Sequence, residues 1–186
     1  MKNQLKIQKF IFVFLLLTQL GLAQETNVES NAQPEKEILQ HELSLNALYV
    51  ILGALEAKYE YLLNENSGVG ISAMYTFDDD LWEYEYYVTG HYRQYFGKKY
   101  AGGFYGEAFL MYNSIEDYEY YFTNGNSYIE EDNSHNLAIG FGFGTKLISK
   151  NNLLLDVGLG LGRNFISSGD EDFLVPRFNV NFGYRF

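Results

Sequence analysis

Between Leu43 and Phe186 apolar and polar residues trade places with a period of two, segment after segment. That period sends successive side chains to opposite faces of an extended strand, so each segment has one greasy face and one polar face. The last twelve residues are the clearest case: Val180, Phe182, Tyr184 and Phe186 alternate with Asn179, Asn181, Gly183 and Arg185. The pattern predicts strands near 43–51, 54–62, 68–77, 84–96, 103–113 with an extension, 134–148, 153–162 and 174–186. The first is the least regular, because Ala47 to Leu52 is apolar on both faces and Gly53 is the one residue available for a turn. Seventeen Tyr, 15 Phe and 18 Gly against two Pro suit strands rather than helices.

A final strand with Phe at its last position and apolar residues at every second place before it resembles the C-terminal signal of bacterial outer-membrane β-barrels. By that resemblance Val180, Phe182, Tyr184 and Phe186 form the signal that the barrel assembly machinery reads. The stretch Leu45 to Tyr61 is similar to the opening hairpin of small Bacteroidota-type outer-membrane barrels, several families of which have no assigned activity. The resemblance implies an all-β fold: an eight-stranded antiparallel up-and-down transmembrane β-barrel over residues 43–186, placed in the outer membrane of a Gram-negative envelope.

The N-terminal segment points the same way. Lys2, Lys6 and Lys9 precede the apolar run Phe10 to Leu17 and then Gly21-Leu22-Ala23, which reads as a signal peptide over residues 1–23. No stretch has the roughly 20 apolar residues that a membrane helix requires. Residues 24–42 are acidic and amide-rich with no apolar face, and are expected to form a flexible periplasmic tail. Cysteine is absent, which excludes disulfides, thiolate metal sites and a cysteine-linked lipid anchor. Without the signal peptide ten Lys and Arg face 24 Asp and Glu, a net charge of −14, so binding to nucleic acid through its phosphates is not expected.

Alternation alone does not say which face is inside; a soluble ligand-binding barrel has the same period with the apolar face turned in. The content of the polar face decides. It collects Glu56, Lys58, Glu60, His91, Arg93, Glu107, Lys146, Asp156, Arg177 and Arg185, four acids against five Lys or Arg. That near balance, in so acidic a chain, suits a closed interior in which charges must pair. Gly140, Gly142, Gly144, Gly158, Gly160 and Gly162 share this face and would leave room for Tyr87, Tyr95, Tyr105 and Phe109 to reach across. An eight-stranded barrel is just wide enough to be plugged by side chains. The opposite face gives uncharged rows: Val69, Ile71, Ala73, Tyr75; Leu137, Ile139, Phe141, Phe143; Leu153, Leu155, Val157, Leu159, Leu161. Tyr59, Tyr61, Tyr84, Tyr86, Tyr112, Tyr184 and Phe186 lie toward strand ends, where girdles at the lipid interfaces belong.

Short connections at 64–67, 97–102 and 149–152 would be periplasmic turns, and the acidic stretches 78–83, 114–133 and 165–172 outer loops. Asn124-Gly125 predicts a hairpin protruding past the membrane, a place for an extracellular partner to engage loop 114–133. Membrane contacts would be with outer-membrane lipids and lipopolysaccharide.

Candidate chemistry is sparse. Ser134-His135 follows Glu130, Glu131 and Asp132, but adjacent strand residues point to opposite faces, and the pair departs from the spaced His and Ser of barrel-type lipid A deacylases. His91 and Arg93 opposite Glu107 read as an interior ion network before an acid–base pair. The acids Asp78-Asp79-Asp80 with Glu83, and Asp170-Glu171-Asp172, lack the ligand spacing of a dedicated calcium loop. No catalytic, cofactor-binding or metal-ligating residue is therefore assigned, and a non-enzymatic structural or surface-interaction role leads. The alternatives are a lipid A-modifying enzyme using groups near His135 and a soluble ligand-binding barrel. Replacing Val157 by Arg in the outward row of the seventh strand should lower stability in lipid by about 2 to 4 kcal/mol, read from denaturant unfolding in vesicles; an unchanged midpoint would count against the outward assignment.

Overall fold

The computed structural model describes residues 39–78, 81–82, 84–123, 126–167 and 174–186, with backbone alone at 116–123, 126–133 and 167. The expected signal peptide and nearly all of the expected tail lie outside the described residues. So do Asp79, Asp80, Glu83, Asn124, Gly125, Asp170, Glu171 and Asp172.

Eight strands run in chain order, each paired antiparallel with the next, and the eighth returns to the first to close the barrel. They are β1 (His41–Asn46), β2 (Ala54–Asn64), β3 (Ser67–Thr76), β4 (Tyr84–Tyr95), β5 (Gly103–Thr123), β6 (Asn126–Ile148), β7 (Leu153–Ser167) and β8 (Leu174–Arg185). The ladder between β5 and β6 continues out to Thr123 opposite Asn126, so these strands run well past their neighbours as the sequence implied. One rim carries the chain end at Phe186 and the tight connections after β2, β4 and β6; the opposite rim carries the long β5–β6 hairpin. These are called the terminal rim and the loop rim below.

The expected first strand, 43–51, is corrected at both ends. It begins at His41 and stops at Asn46, after which Ala47–Leu52 form a short helix, α1. Consecutive apolar residues give no reason to alternate faces, and the flanking residues supply the caps. The Asn46 side chain accepts a hydrogen bond from the Tyr49 backbone N–H at 3.4 Å. At the other end Gly53 adopts a left-handed φ of 97°. An ideal Cβ there would fall 2.6 Å from the Asp78 Cβ, so glycine is required for space as well as conformation.

Alternation sets the two faces along each strand. In β2, Glu56, Lys58 and Glu60 are buried while Leu55, Ala57, Tyr59 and Tyr61 are exposed. In β8, Val175, Arg177, Asn179 and Asn181 are buried while Phe178, Phe182 and Tyr184 are exposed. Register shifts change parity locally. A bulge between Tyr84 and Tyr86 turns Tyr84 inward, against Tyr87, so Tyr84 is not the girdle residue expected. Tyr59, Tyr61, Tyr112, Tyr184 and Phe186 do face outward.

The glycine rows of β6 and β7 work by absence. The Tyr105 hydroxyl lies 2.5 Å from where a Cβ would sit at both Gly144 and Gly158. The Phe109 ring reaches within 2.3 Å of the corresponding point at Gly140. Large side chains on β5 thus fill the volume that the glycines leave beside β6 and β7. Gly158→Ala should cost about 1–3 kcal/mol through overpacking against Tyr105. Part of that loss should return in the Tyr105→Phe background, measured as a double-mutant cycle by urea unfolding in lipid; strict additivity would contradict the contact.

Candidate functional site

The polar faces of the strands converge on the barrel axis, where seven of the eight, all but β3, contribute to one linked set of ion pairs. At the terminal rim Arg185 of β8 meets Glu42 of β1, its partner across the strand pair that closes the barrel, with Nη2 and Oε1 2.6 Å apart. Its guanidinium also donates to the Tyr100 and Ala101 carbonyls, each at 2.9 Å, pinning the β4–β5 connection beneath it. Glu42 accepts from Lys146 at 2.6 Å. Lys146 approaches Glu60 at 3.1 Å and bonds the Tyr95 hydroxyl, which itself donates to Glu60.

Arg93 is the hub. Its Nη1 lies 3.2 Å from Glu60 and 2.8 Å from Asp156, its Nε donates to Glu107 at 2.7 Å, and it is fully buried. The Tyr105 ring covers it at 4.1 Å. Asp156 also accepts from Lys58, from the Tyr105 hydroxyl at 2.7 Å and from the Asn181 amide at 3.2 Å. Toward the loop rim Glu107 accepts from Arg177 at 2.9 Å, and Arg177 approaches Glu56 at 3.5 Å. The Asn46 amide then donates to Glu56 at 2.8 Å.

All ten charge-network residues expected from the sequence are buried, and nine of them, all but His91, are joined with Glu42 by ion pairs across β1, β2, β4, β5, β6, β7 and β8. Glu42 was missed because it was assigned to the tail. The signal was present: Glu42, Ser44 and Asn46 alternate with Leu43 and Leu45, so the polar parity runs one residue past the boundary drawn. With Glu42 the buried acids among the described residues number five, Glu42, Glu56, Glu60, Glu107 and Asp156. They face five cations, Lys58, Arg93, Lys146, Arg177 and Arg185. With His91 uncharged the interior is neutral. His91 lies 3.8 Å from Glu60 with no hydrogen-bonded ring nitrogen, packed into space that Gly70 leaves open.

Toward the loop rim the interior changes character. Tyr49, Met74, Tyr87, Met111, Ala138 and Val175 pack together. The amides Asn113, Asn136 and Asn164 bond one another nearby. Among the described residues no buried charge lies beyond Glu56 and Arg177 in this direction. The outer wall is the inverse, with Ile71, Ile139, Phe141, Phe143, Leu159, Leu161, Phe178 and Phe182 exposed, Phe141 and Phe143 by 72% and 69%. Contiguous apolar surface of this kind is rare on soluble monomers.

The other candidates are not brought together. His135 is exposed and stacks on Tyr112 at 5.9 Å, while Ser134 lies half-buried beside Asn136, so the two do not address each other. Of the acid clusters only Asp78 falls among the described residues, and these contain no group of three His, Cys, Asp or Glu placed to hold a metal ion. Val180, Phe182, Tyr184 and Phe186 share the outward face of β8, with His41 stacked on Phe186 at 5.7 Å.

No protein-family model matches the chain, and no curated protein does. Among solved structures the N-terminal β-barrel domain of Pseudomonas aeruginosa OprF is similar at 13% identity, with a TM-score of 0.48, over 79% of this chain and 97% of that one.

Removing Arg93 leaves Glu60, Glu107 and Asp156 without their shared partner. Arg93→Met should cost about 3–5 kcal/mol in equilibrium unfolding from lipid vesicles; a loss below about 1 kcal/mol, the worth of an exposed pair, would show that the network is solvated.

Proposed function

We propose that the chain is a non-enzymatic outer-membrane β-barrel protein with a structural or surface-interaction role. One observation carries this reading: apolar side chains cover the outside of a closed wall while a neutral set of ten charges fills its axis. In water that arrangement would expose the greasy face and bury the ions, a double cost. In lipid each face meets the surroundings it suits, and the backbone ladder runs round the wall except beside Leu174–Val180 of β8.

In this reading residues 1–23 are a signal peptide, residues 24–40 a periplasmic tail, and the terminal rim faces the periplasm. The β5–β6 hairpin, acidic and rich in tyrosine over 114–133, rises on the external side, where its strand edges are the surface for an extracellular partner. Val180, Phe182, Tyr184 and Phe186 serve the assembly machinery, and the exterior contacts outer-membrane lipids and lipopolysaccharide. Ion pairing and packed aromatics rather than a water-filled channel occupy the interior, so envelope integrity fits the barrel better than solute conduction.

The test is cellular fractionation with heat-modifiable gel mobility, and mass spectrometry of lipid A from a deletion strain. The proposal expects the protein in the outer-membrane fraction, migrating faster unheated than boiled, and an unaltered lipid A acylation pattern. Recovery in the soluble periplasm would overturn the location, and a lost acyl modification would overturn the non-enzymatic role.

A further inference from the structure

The closed wall is not uniform. Strand β1 stops at Asn46, opposite Asn181, so β8 residues Leu174–Val180 have no strand beside them on that side. Seven residues of strand extend roughly 23 Å, about half the wall's height. In an antiparallel strand the N–H and C=O of one residue point to the same side. Here Phe178 and Val180 point into the gap, and side chains replace the missing ladder. The Asn46 amide donates to the Phe178 carbonyl at 2.9 Å, its oxygen accepts from the Val180 N–H at 3.4 Å, and the Tyr49 hydroxyl accepts from the Phe178 N–H at 3.4 Å. Pro176 has the same parity and no N–H to offer, as at a strand edge meant to stay unpaired.

Helix α1 covers this gap, packing against both β2 and β8. It carries no charge, and Val50 and Ile51 face outward. Its far end turns at Gly53, and Trp82 holds it from outside the strand ladder by donating to the Leu52 carbonyl at 2.9 Å and meeting the Tyr49 ring edge-on at 4.6 Å. Behind it lies the uncharged end of the interior, with Met74 and Met111. Unbranched thioether side chains repack around a guest at low cost.

We propose that α1 is a hinged strap that swings away from β8, opening the wall sideways and admitting a lipid acyl chain into the uncharged part of the interior. This rests on the membrane reading above, by which the gap sits in the outer-leaflet half. The wall below Asn181 stays shut because a backbone ladder, not three side-chain bonds, holds it. Charge selects the guest: a chain arriving through the gap meets aromatic, methionine and amide groups, and stops at Arg177 and Glu56.

The absence of native cysteine makes the test direct. Val175→Cys and Leu62→Cys each place a thiol in the interior at positions that are fully buried, the first in the uncharged cluster beside the gap and the second in the terminal-rim cluster beyond the charges. The mature chain in phosphatidylcholine vesicles is treated with an N-alkyl maleimide carried in the bilayer or with a water-soluble, impermeant maleimide. The proposal expects the bilayer reagent to modify the cysteine at 175 about tenfold faster than that at 62, with the water-soluble reagent slower at 175 than the bilayer one. Equal rates at the two positions, no reaction at 175, or faster attack from water would overturn it. Amide exchange on the unsubstituted chain gives a second measurement: Phe178 and Val180 should exchange faster than Phe182 and Tyr184, and equal protection would overturn the hinge. Failure of the membrane reading itself would show separately, in fractionation.

Discussion

A charge sealed inside a closed wall has no solvent to screen it, and every other feature of this barrel follows from meeting that demand. Isolating one ion costs several kcal/mol, so the interior must be neutral as a whole and paired in detail. Five acids and five cations achieve the first. The second is met mainly by sharing: Arg93 addresses Glu60, Glu107 and Asp156 at once, and Asp156 gathers Lys58, Arg93, Tyr105 and Asn181, while Arg93 Nη2 and Arg177 Nε are left without a hydrogen bond. The links join strands remote in the chain, so the network fixes strand register and barrel closure together. Glu42 and Arg185 show this most directly, since their ion pair lies across the junction of first and last strands.

Packing answers to the same demand. Buried ions need water excluded and hydrogen bonds made, and tyrosine contributes to both. Tyr105 lies over Arg93 with its ring and reaches Asp156 with its hydroxyl. A ring of that size fits at the axis only because Gly144 and Gly158 present bare backbone opposite it. The glycines of β6 and β7 are therefore part of the charge network, although they carry no charge.

Much of this was legible in the sequence, because a period of two needs only one strand to be seen. Each strand declares its faces locally, and the ions declared which face was inward. What escaped depended on neighbours. Tyr84 changed sides through a bulge that no single-strand pattern records. Ala47 to Leu52 left the strand because the residues around it cap a helix, Asn46 at one end and Gly53 at the other. Glu42 stood at the edge of an acidic tail and shared its composition; only its parity with Ser44 and Asn46 separated it from the tail. Of Arg93's three partners only Glu107, opposite it on the next strand, was legible; the chain positions of Glu60 and Asp156 say nothing of their distances across the axis.

The account stands or falls on which environment each face touches. In uniformly labelled protein in lipid nanodiscs, nuclear Overhauser contacts from acyl-chain protons can be read residue by residue along β7. The arrangement described here requires strong lipid contacts at Leu155, Leu159 and Leu161 and none at Asp156, Gly158 or Gly160. Lipid contacts absent from the leucines, with their methyl groups instead close to Arg177 and Glu56, would contradict it.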